Sequence, residues 1–384
     1  MKRGLNDSKA QATAPRATIV EVAAAAGVSI KTVSRVVNRE ASVSDRTREK
    51  VEAAIQSLGY RPNPSARGLA GNRSYSLGLL YQAPREFGYV RNALDGVMTA
   101  CEAEGYALLM RPCQDTLDLD GIDQFLAQTR IDGAVLTAPI CDDERVMALL
   151  TERGVPFCQL SPAAHRTRGL SAHADDEPAS QALTEHLLSL GHRRIGFILG
   201  HPDHSSSAQR LAGYLKALKS HGIRKDASLI AQGYFEFESG KACARRLLKR
   251  KHRPTAIFAS NDEMASGVLY VARELGLKVP EDLSIVGFDD SMVAERTWPP
   301  LTTVRQPVTA MADALTRSLI KSLRATPWGL RTRTGTTIAS WSFVPPPAPR
   351  LKAPRLANEE RDIGVGRAAL AIAGVAKEPI GAPG

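Results

Sequence analysis

The chain has 384 residues, 43% of them apolar, with 50 Lys and Arg against 40 Asp and Glu. That length accommodates a small head and a body of two subdomains, and no apolar run reaches the roughly 20 residues a membrane helix needs, so no membrane partner is expected. The excess positive charge is segregated: residues 1 to 75 carry 13 Lys and Arg against 6 Asp and Glu, residues 76 to 320 carry 27 against 30, and residues 321 to 384 carry 10 against 4. This distribution suits a phosphate-binding head on a near-neutral body, not a solubility device spread over the surface.

Residues 1–16 are polar and charged, without the apolar core of a secretion signal, and are expected to form a disordered arm in a cytoplasmic protein. Residues 17–61 read as three helices. Thr18 can cap the first, with Glu21 reaching back to it, while Val22, Ala23 and Ala26 form an apolar stripe that Gly27 ends. Ser29 can cap a second helix whose Val33, Val36 and Val37 face inward, leaving Ile30, Lys31, Thr32, Ser34 and Arg35 outside. Two short helices joined through Ala-Gly-Val-Ser, with such an outer face, predict a helix-turn-helix reader of double-stranded DNA. Ser44 opens a third helix whose Val51, Ala54, Ile55 and Leu58 complete the core. Residues 62–74 are expected to form a hinge that is disordered without DNA. Pro62, Pro64, Gly68 and Gly71 make an isolated helix marginal there.

From residue 75 the sequence alternates apolar runs with helical stretches, as a parallel sheet with crossover helices does. Strands are expected at 76–81, 106–111, 133–137, 156–160, 194–199, 256–260 and 283–288, with helices such as NALDGVMTACEAEG, EPASQALTEHLLSLG, SSSAQRLAGYLKALKSHG, SGKACARRLLKR and NDEMASGVLYVARELG between them. The fold class is therefore α/β, with two doubly wound parallel-sheet subdomains behind the three-helix head. Ligands of such sheets bind beyond the carboxyl ends of the strands.

The order AGVS, TVSRVVN, LGY and PN in the head, with LGHRRIGFILG, SAQRLAGY, PTAIFASNDEMASGVL, VPEDLSIVGFDD and PPLTTVRQP in the body, closely resembles the lactose-repressor (LacI/GalR) family of transcription regulators. The resemblance spans the head, the hinge and the body. It implies a dimeric repressor that binds a palindromic operator through its paired heads, and a periplasmic-binding-protein-like core over residues 75–345. The first subdomain is expected at about 75–173 and 304–330, and the second at about 174–303 plus C-terminal residues.

On the DNA side, the resemblance places base-reading side chains at Ile30, Lys31 and Arg35. Arg35 can bond guanine O6 and N7 as a fork, Lys31 can donate to guanine or phosphate, and Ile30 can pack on a thymine methyl. Thr18, Ser29, Thr32, Ser34 and Asn38 suit phosphate positioning. Asn63, Ala66 and Leu69 belong to a hinge helix that folds on the operator, where Leu69 enters the minor groove and kinks the duplex.

On the effector side, the resemblance aligns Arg210 with the family arginine that grips the ligand, Asn261 and Asp289 with an amide and a carboxylate, Gln306 with a polar residue at the crossover, and Phe235 with an aromatic that closes over the ligand. Tyr81, Gln82 and Ser161 fall at strand ends where ligand identity is decided. This set suits a sugar or polyol, with release from DNA on binding; a purine corepressor and a sugar-transport receptor are the other readings. Ser161 stands where some sugar-responsive relatives carry an aspartate, so no particular hexose is implied.

Several features argue against an enzyme: there is no GxGxxG after a strand, no Walker loop, no GxSxG and no HExxH. No catalytic residue, metal or cofactor is expected. The paired carboxylates Asp142 with Asp143, Asp175 with Asp176 and Asp289 with Asp290 read as solvated or capping groups. Five scattered cysteines without CxxC spacing read as free and mostly buried. The tail departs from the family: only TTIASWSFV (336–344) reads as a strand, residues 346–384 are expected to be disordered, and no heptads support a tetramer.

Overall fold

The structure is a computed structural model. It describes residues 17–37, 42–60, 73–82, 88–113, 119–163 and 168–325, together with the backbone of 335–339 and 342–344. The N-terminal arm, Asn38, the hinge residues Asn63, Ala66 and Leu69, and the tail past residue 344 lie outside the described residues.

The head is three helices, α1 (Ile19–Ala26), α2 (Ile30–Val37) and α3 (Asp45–Leu58). Thr18 and Glu21 form a reciprocal capping box, and Gly27 ends α1 at φ 65°, a left-handed conformation that a side chain disfavours. Val22, Ala23, Val33, Val36, Val51 and Ala54 are buried together, with Val37 and Ile55 packed at the edge. Leu58 departs from expectation: it is 39% exposed in the last turn of α3, while Tyr60 just beyond it packs against the cluster.

Next come β1 (Ser76–Gln82), α4 (Gly88–Glu104), β2 (Ala107–Cys113), α5 (Leu119–Thr129), β3 (Gly133–Thr137), α6 (Glu144–Glu152), β4 (Phe157–Leu160) and β5 (Leu170–Ala174). The second lobe comprises α7 (Asp176–Ser189), β6 (Ile195–Leu199), α8 (Ser205–Ser220), β7 (Ile230–Gln232), α9 (Phe237–Leu248), β8 (Ala256–Ala259), α10 (Asp262–Glu274), β9 (Ser284–Val286) and α11 (Met292–Arg296). The chain returns through β10 (Thr303–Arg305) and α12 (Val308–Ala325) to β11 (Gly335–Ala339) and β12 (Ser342–Val344).

The first sheet has the order β11-β5-β4-β3-β1-β2 and the second β7-β6-β8-β9, each with parallel pairing throughout. The central strands β1, β3, β6 and β8 are buried on two faces, which is why they read as continuous apolar runs. On one face of the first sheet, Leu77 and Leu79 pack with Val97 of α4 and Leu315 of α12; on the other, Leu80 and Leu136 meet α5 and α6. The α4–α12 crossing is so close that a Cβ on Gly96 would come within 2.2 Å of the Thr309 carbonyl oxygen. In the second lobe Phe197, Phe258 and Phe288 join α7 and α8, while Ile198, Ile257 and Ile285 join α9 and α10.

The expected single strand over 336–344 is two: β11 adds to β5 of the first sheet, and β12 pairs antiparallel with β10. The chain therefore passes between the lobes at Ala174–Asp176, at the β10–α12 connection and again between β11 and β12. Three short strands, β5, β7 and β10, have no counterpart among the expected ones. Each is too short or too polar to make an apolar run, and buried partners supply what its own sequence lacks.

Candidate functional site

The recognition face of the head is built on α2. Ser29 Oγ accepts the Thr32 N–H at 3.1 Å and pairs with Thr32 Oγ1 at 2.9 Å, so both hydroxyls hold the start of the helix. Because Val33 and Val36 are buried, the opposite stripe is fixed outward: Ser29, Ile30 and Lys31 are exposed, with Ile30 48% accessible, and Thr32, Ser34 and Arg35 are half-buried. Thr18 Oγ1 and its N–H are bonded to the Glu21 carboxylate, which these donors hold below its ordinary pKa. An apolar side chain and a cation thus stand at the first turn of α2, the end that such helices insert into the major groove.

A cleft of about 400 Å³ lies between the two lobes at the carboxyl ends of both sheets. Gln82, Ser161, Arg210, Phe235, Asn261, Asp289 and Gln306 all line it. Tyr81 does not. It shares the parity of Leu77 and Leu79 along β1 and is buried with them in the core, because side chains alternate along a strand.

Arg210, on α8, is the centre of the site and only 4% exposed. Its Nε donates to Asp176 Oδ2 at 3.2 Å, Nη1 donates to the Ser260 carbonyl, and Nη2 lies 3.5 Å from Asp289 Oδ1. The guanidinium stacks 3.8 Å over the Phe288 ring. Asp289 also accepts from Gln306 Nε2 at 2.6 Å. Burial pushes the Asp289 carboxyl up to about 6, against the opposing pull of Arg210 and Gln306, and burial likewise raises Asp176. Asp262 lies deeper, accepting from Thr303 Oγ1 at 2.6 Å and the Ser291 N–H at 2.7 Å. Burial and the neighbouring Asp289 push it up to about 8. These bonds tie α10, the loop after β9 and the β10 crossover to one carboxyl.

Phe235 closes one wall. Its ring lies directly on Gly200, where a Cβ would come within 2.0 Å, and His204 meets it edge-on at 5.3 Å between centroids. His201 and Tyr234 extend the aromatic surface. His204 is held neutral, its pKa lowered by burial to about 3. Asn261 caps α10 by accepting the Met264 N–H at 2.9 Å and donates to the Phe235 carbonyl at 2.9 Å. Half of its hydrogen-bonding capacity is thus used within the chain. Across the cleft, Tyr89 donates to Ser161 Oγ at 2.8 Å. Ser161, Phe235 and Asp289 take φ values of 59°, 65° and 108°, so three lining residues hold conformations that side chains rarely adopt. Such outliers concentrate where surrounding structure fixes a ligand surface.

The expectation that Asp175 with Asp176 only caps or faces solvent is corrected: Asp176 is 5% exposed and ion-paired to Arg210, because the α7–α8 crossing brings its carboxylate inward. Tyr89, His201 and His204 carry no sequence signal that marks them for the cleft, and Asp176 reads from sequence as a cap or solvated group. Only its partner Arg210, 34 positions away, gives Asp176 its meaning.

Against known proteins, residues 18–63 match the model of bacterial regulatory proteins of the lacI family, and residues 184–338 match that of the periplasmic binding protein-like domain. The HTH-type transcriptional regulator CelR of Thermobifida fusca is 36% identical over 315 residues, covering 79% of this chain and 91% of the relative. The chain belongs to the lacI family. It is a helix-turn-helix transcriptional regulator. Among solved structures, a transcriptional regulator CelR–cellobiose complex has a TM-score of 0.65 at 31% identity, and a lac repressor dimer bound to operator and the anti-inducer ONPF has 0.67 at 29%; each comparison covers 86% of this chain and 98% of the other. These relatives are regulators, not enzymes.

Proposed function

We propose that this lacI-family protein is a dimeric repressor whose paired heads hold a palindromic operator, and that a small sugar or polyol in the interlobe cleft releases it. The observation that carries the effector assignment is Arg210, fixed between two carboxylates and a ring, with N–H donors left over for ligand hydroxyls. The CelR–cellobiose likeness supports a saccharide. The face of Phe235 supplies the apolar surface on which a pyranose stacks. Gln82 and Ser161 contribute neutral polar contacts from the first lobe, and Asn261 and Gln306 brace the wall.

Closing the lobes on a ligand changes the relation between the crossover segments, and through them the hinge at 62–74, where Leu69 is assigned to the minor groove. A ligand shifts the equilibrium only by its differential affinity for the two states. No described helix is long and apolar enough to cross a membrane, and a cytoplasmic site of action fits an operator-binding protein.

The test is a thermal-shift screen of mono- and disaccharides, cellobiose included, beside purine bases. A saccharide that raises the melting temperature with the logarithm of its concentration is the expected outcome. Stabilisation by a purine alone overturns the sugar assignment, and stabilisation by a sugar in a protein that retains no palindromic duplex supports the transport-receptor reading instead.

A further inference from the structure

The second lobe has a strongly basic pole at the end of its sheet opposite the cleft. All four strands of that sheet run parallel, so the segments entering them share one edge, while His201, Phe235, Asn261 and Asp289 follow the strands at the other. The entering segments are rich in cations: Arg193 and Arg194 before β6, Arg224 and Lys225 before β7, and RRLLKRKHR, residues 245–253, before β8. That last run holds six Lys and Arg and no acid. The body around it, residues 76 to 320, has more acids than bases.

The cations are organised, and their charge is largely left standing. Arg194 Nη2 donates to the His252 carbonyl at 2.9 Å, Arg246 Nη2 to the Ile230 carbonyl at 2.6 Å, and Arg250 Nη1 to the Ser228 carbonyl at 3.1 Å. These bonds to neutral oxygens knit the three segments together and orient guanidiniums without cancelling them. Two acids pair with basic residues here: Asp226 lies 3.6 Å from Arg194, and Glu274 lies 2.9 Å from Arg245. Glu281 and Asp282 enter β9 beside β8, where Arg253 Nη1 donates to the Asp282 carbonyl at 2.9 Å. Arg193, Arg224, Lys225, Arg246, Lys249, Arg250 and Lys251 are all exposed. The carboxyl ends of α8 and α9 attract cations there, but each helix end is equivalent to only about half a negative charge. That accounts for a fraction of the total.

We infer that this pole binds the phosphate backbone of a second nucleic-acid segment, distinct from the one held by the head. The three segments contain no Phe, Tyr or Trp, so nothing there stacks on bases, and Lys and Arg without aromatics read phosphate rather than sequence. A lacI-family regulator works among DNA at high local concentration, where a weak phosphate-binding surface gains from the tether supplied by the head. The strands separate pole and cleft by on the order of 15 Å, so effector and second duplex bind without contact.

The test holds full-length protein on an immobilised operator duplex and measures recruitment of a labelled duplex of random sequence at low salt. Wild-type protein recruits it, and recruitment falls steeply as salt rises. The variant K225E/K249E/K251E, altered at exposed lysines, loses recruitment by at least about tenfold while keeping operator affinity, melting temperature and response to the cleft ligand. Three results overturn the inference: recruitment by the variant equal to wild type, no recruitment by the wild type at low salt, or binding of poly-glutamate without binding of duplex, which assigns the pole to an acidic protein.

Discussion

Replacing Arg210 by Met tests whether the cleft is organised around one buried cation. The substitution keeps an unbranched apolar stem but removes the guanidinium that stacks on Phe288 and the charge that faces Asp176 at 3.2 Å and Asp289 at 3.5 Å. At an effective dielectric of about 20, each of those contacts is worth about 5 kcal/mol of gross Coulomb attraction, most of it offset by desolvation. Removing one side of a buried ionic cluster costs about 3–5 kcal/mol, because the other side remains charged and unpaired. The cost depends on pH. Burial already raises both carboxyls, Asp289 to about 6, and losing Arg210 raises them further, so lowering the pH to 5 favours their neutral forms and the penalty shrinks. Urea unfolding of R210M at pH 8 and pH 5 is therefore expected to show a deficit of about 3–5 kcal/mol at the higher pH and a much smaller one at the lower. Saccharide binding is lost at both. A deficit independent of pH refutes the electrostatic argument, and a variant as stable as wild type at pH 8 refutes the premise that the carboxylates are charged.

For the wild-type chain, carboxyls whose folded pKa is raised contribute stability that is complete at low pH and lost as pH climbs through the folded value. Asp262, raised to about 8, thus gives an unfolding free energy that rises by on the order of 2 kcal/mol on going from pH 8 to 6.5, seen as a higher urea midpoint. Below pH 6.5 the trend levels off, because His192 and His204, lowered to about 4 and about 3, lose stability as pH falls and oppose the gain from Asp262 and Asp289; a midpoint that falls between pH 8 and 6.5 contradicts this balance. Thr18→Ala removes the α1 capping box and is expected to cost about 1 kcal/mol, seen as faster hydrogen exchange of the α1 amides with exchange in α12 unchanged. Leu69→Ala weakens operator binding with effector affinity nearly unchanged, and equal operator affinity counts against the hinge assignment. Arg35→Ala relaxes base preference at one position of the half-site, whereas a uniform loss across all duplexes demotes it to a phosphate contact.

The head and the strand-helix alternation were legible because both are written locally. Thr18 and Glu21 are three residues apart, Gly27 marks its own turn, and strands buried on both faces are plain apolar runs. Tyr81 was misplaced although the means to place it were present: its odd-numbered partners Leu77 and Leu79 are core, and alternation carries Tyr81 with them. Asp176 was illegible for a different reason. An Asp-Asp pair at a helix start looks like a cap until the α7–α8 crossing delivers Arg210 to it. Strands β5, β7 and β10 depend on sheet neighbours, since Ser171, His173 and Gln232 give no apolar run to detect. The split of the tail strand into β11 and β12 follows from a passage between lobes that its sequence does not mark.

The central claim is that occupancy of the cleft controls the grip of the head. Its most direct measurement is the affinity of a palindromic duplex, selected from a random pool, by fluorescence anisotropy across a titration of the stabilising saccharide. The expected result is a duplex affinity that falls to a plateau as the saccharide saturates, with the saccharide affinity weakened by the same factor when duplex is bound. A duplex affinity unmoved by saturating saccharide contradicts the account.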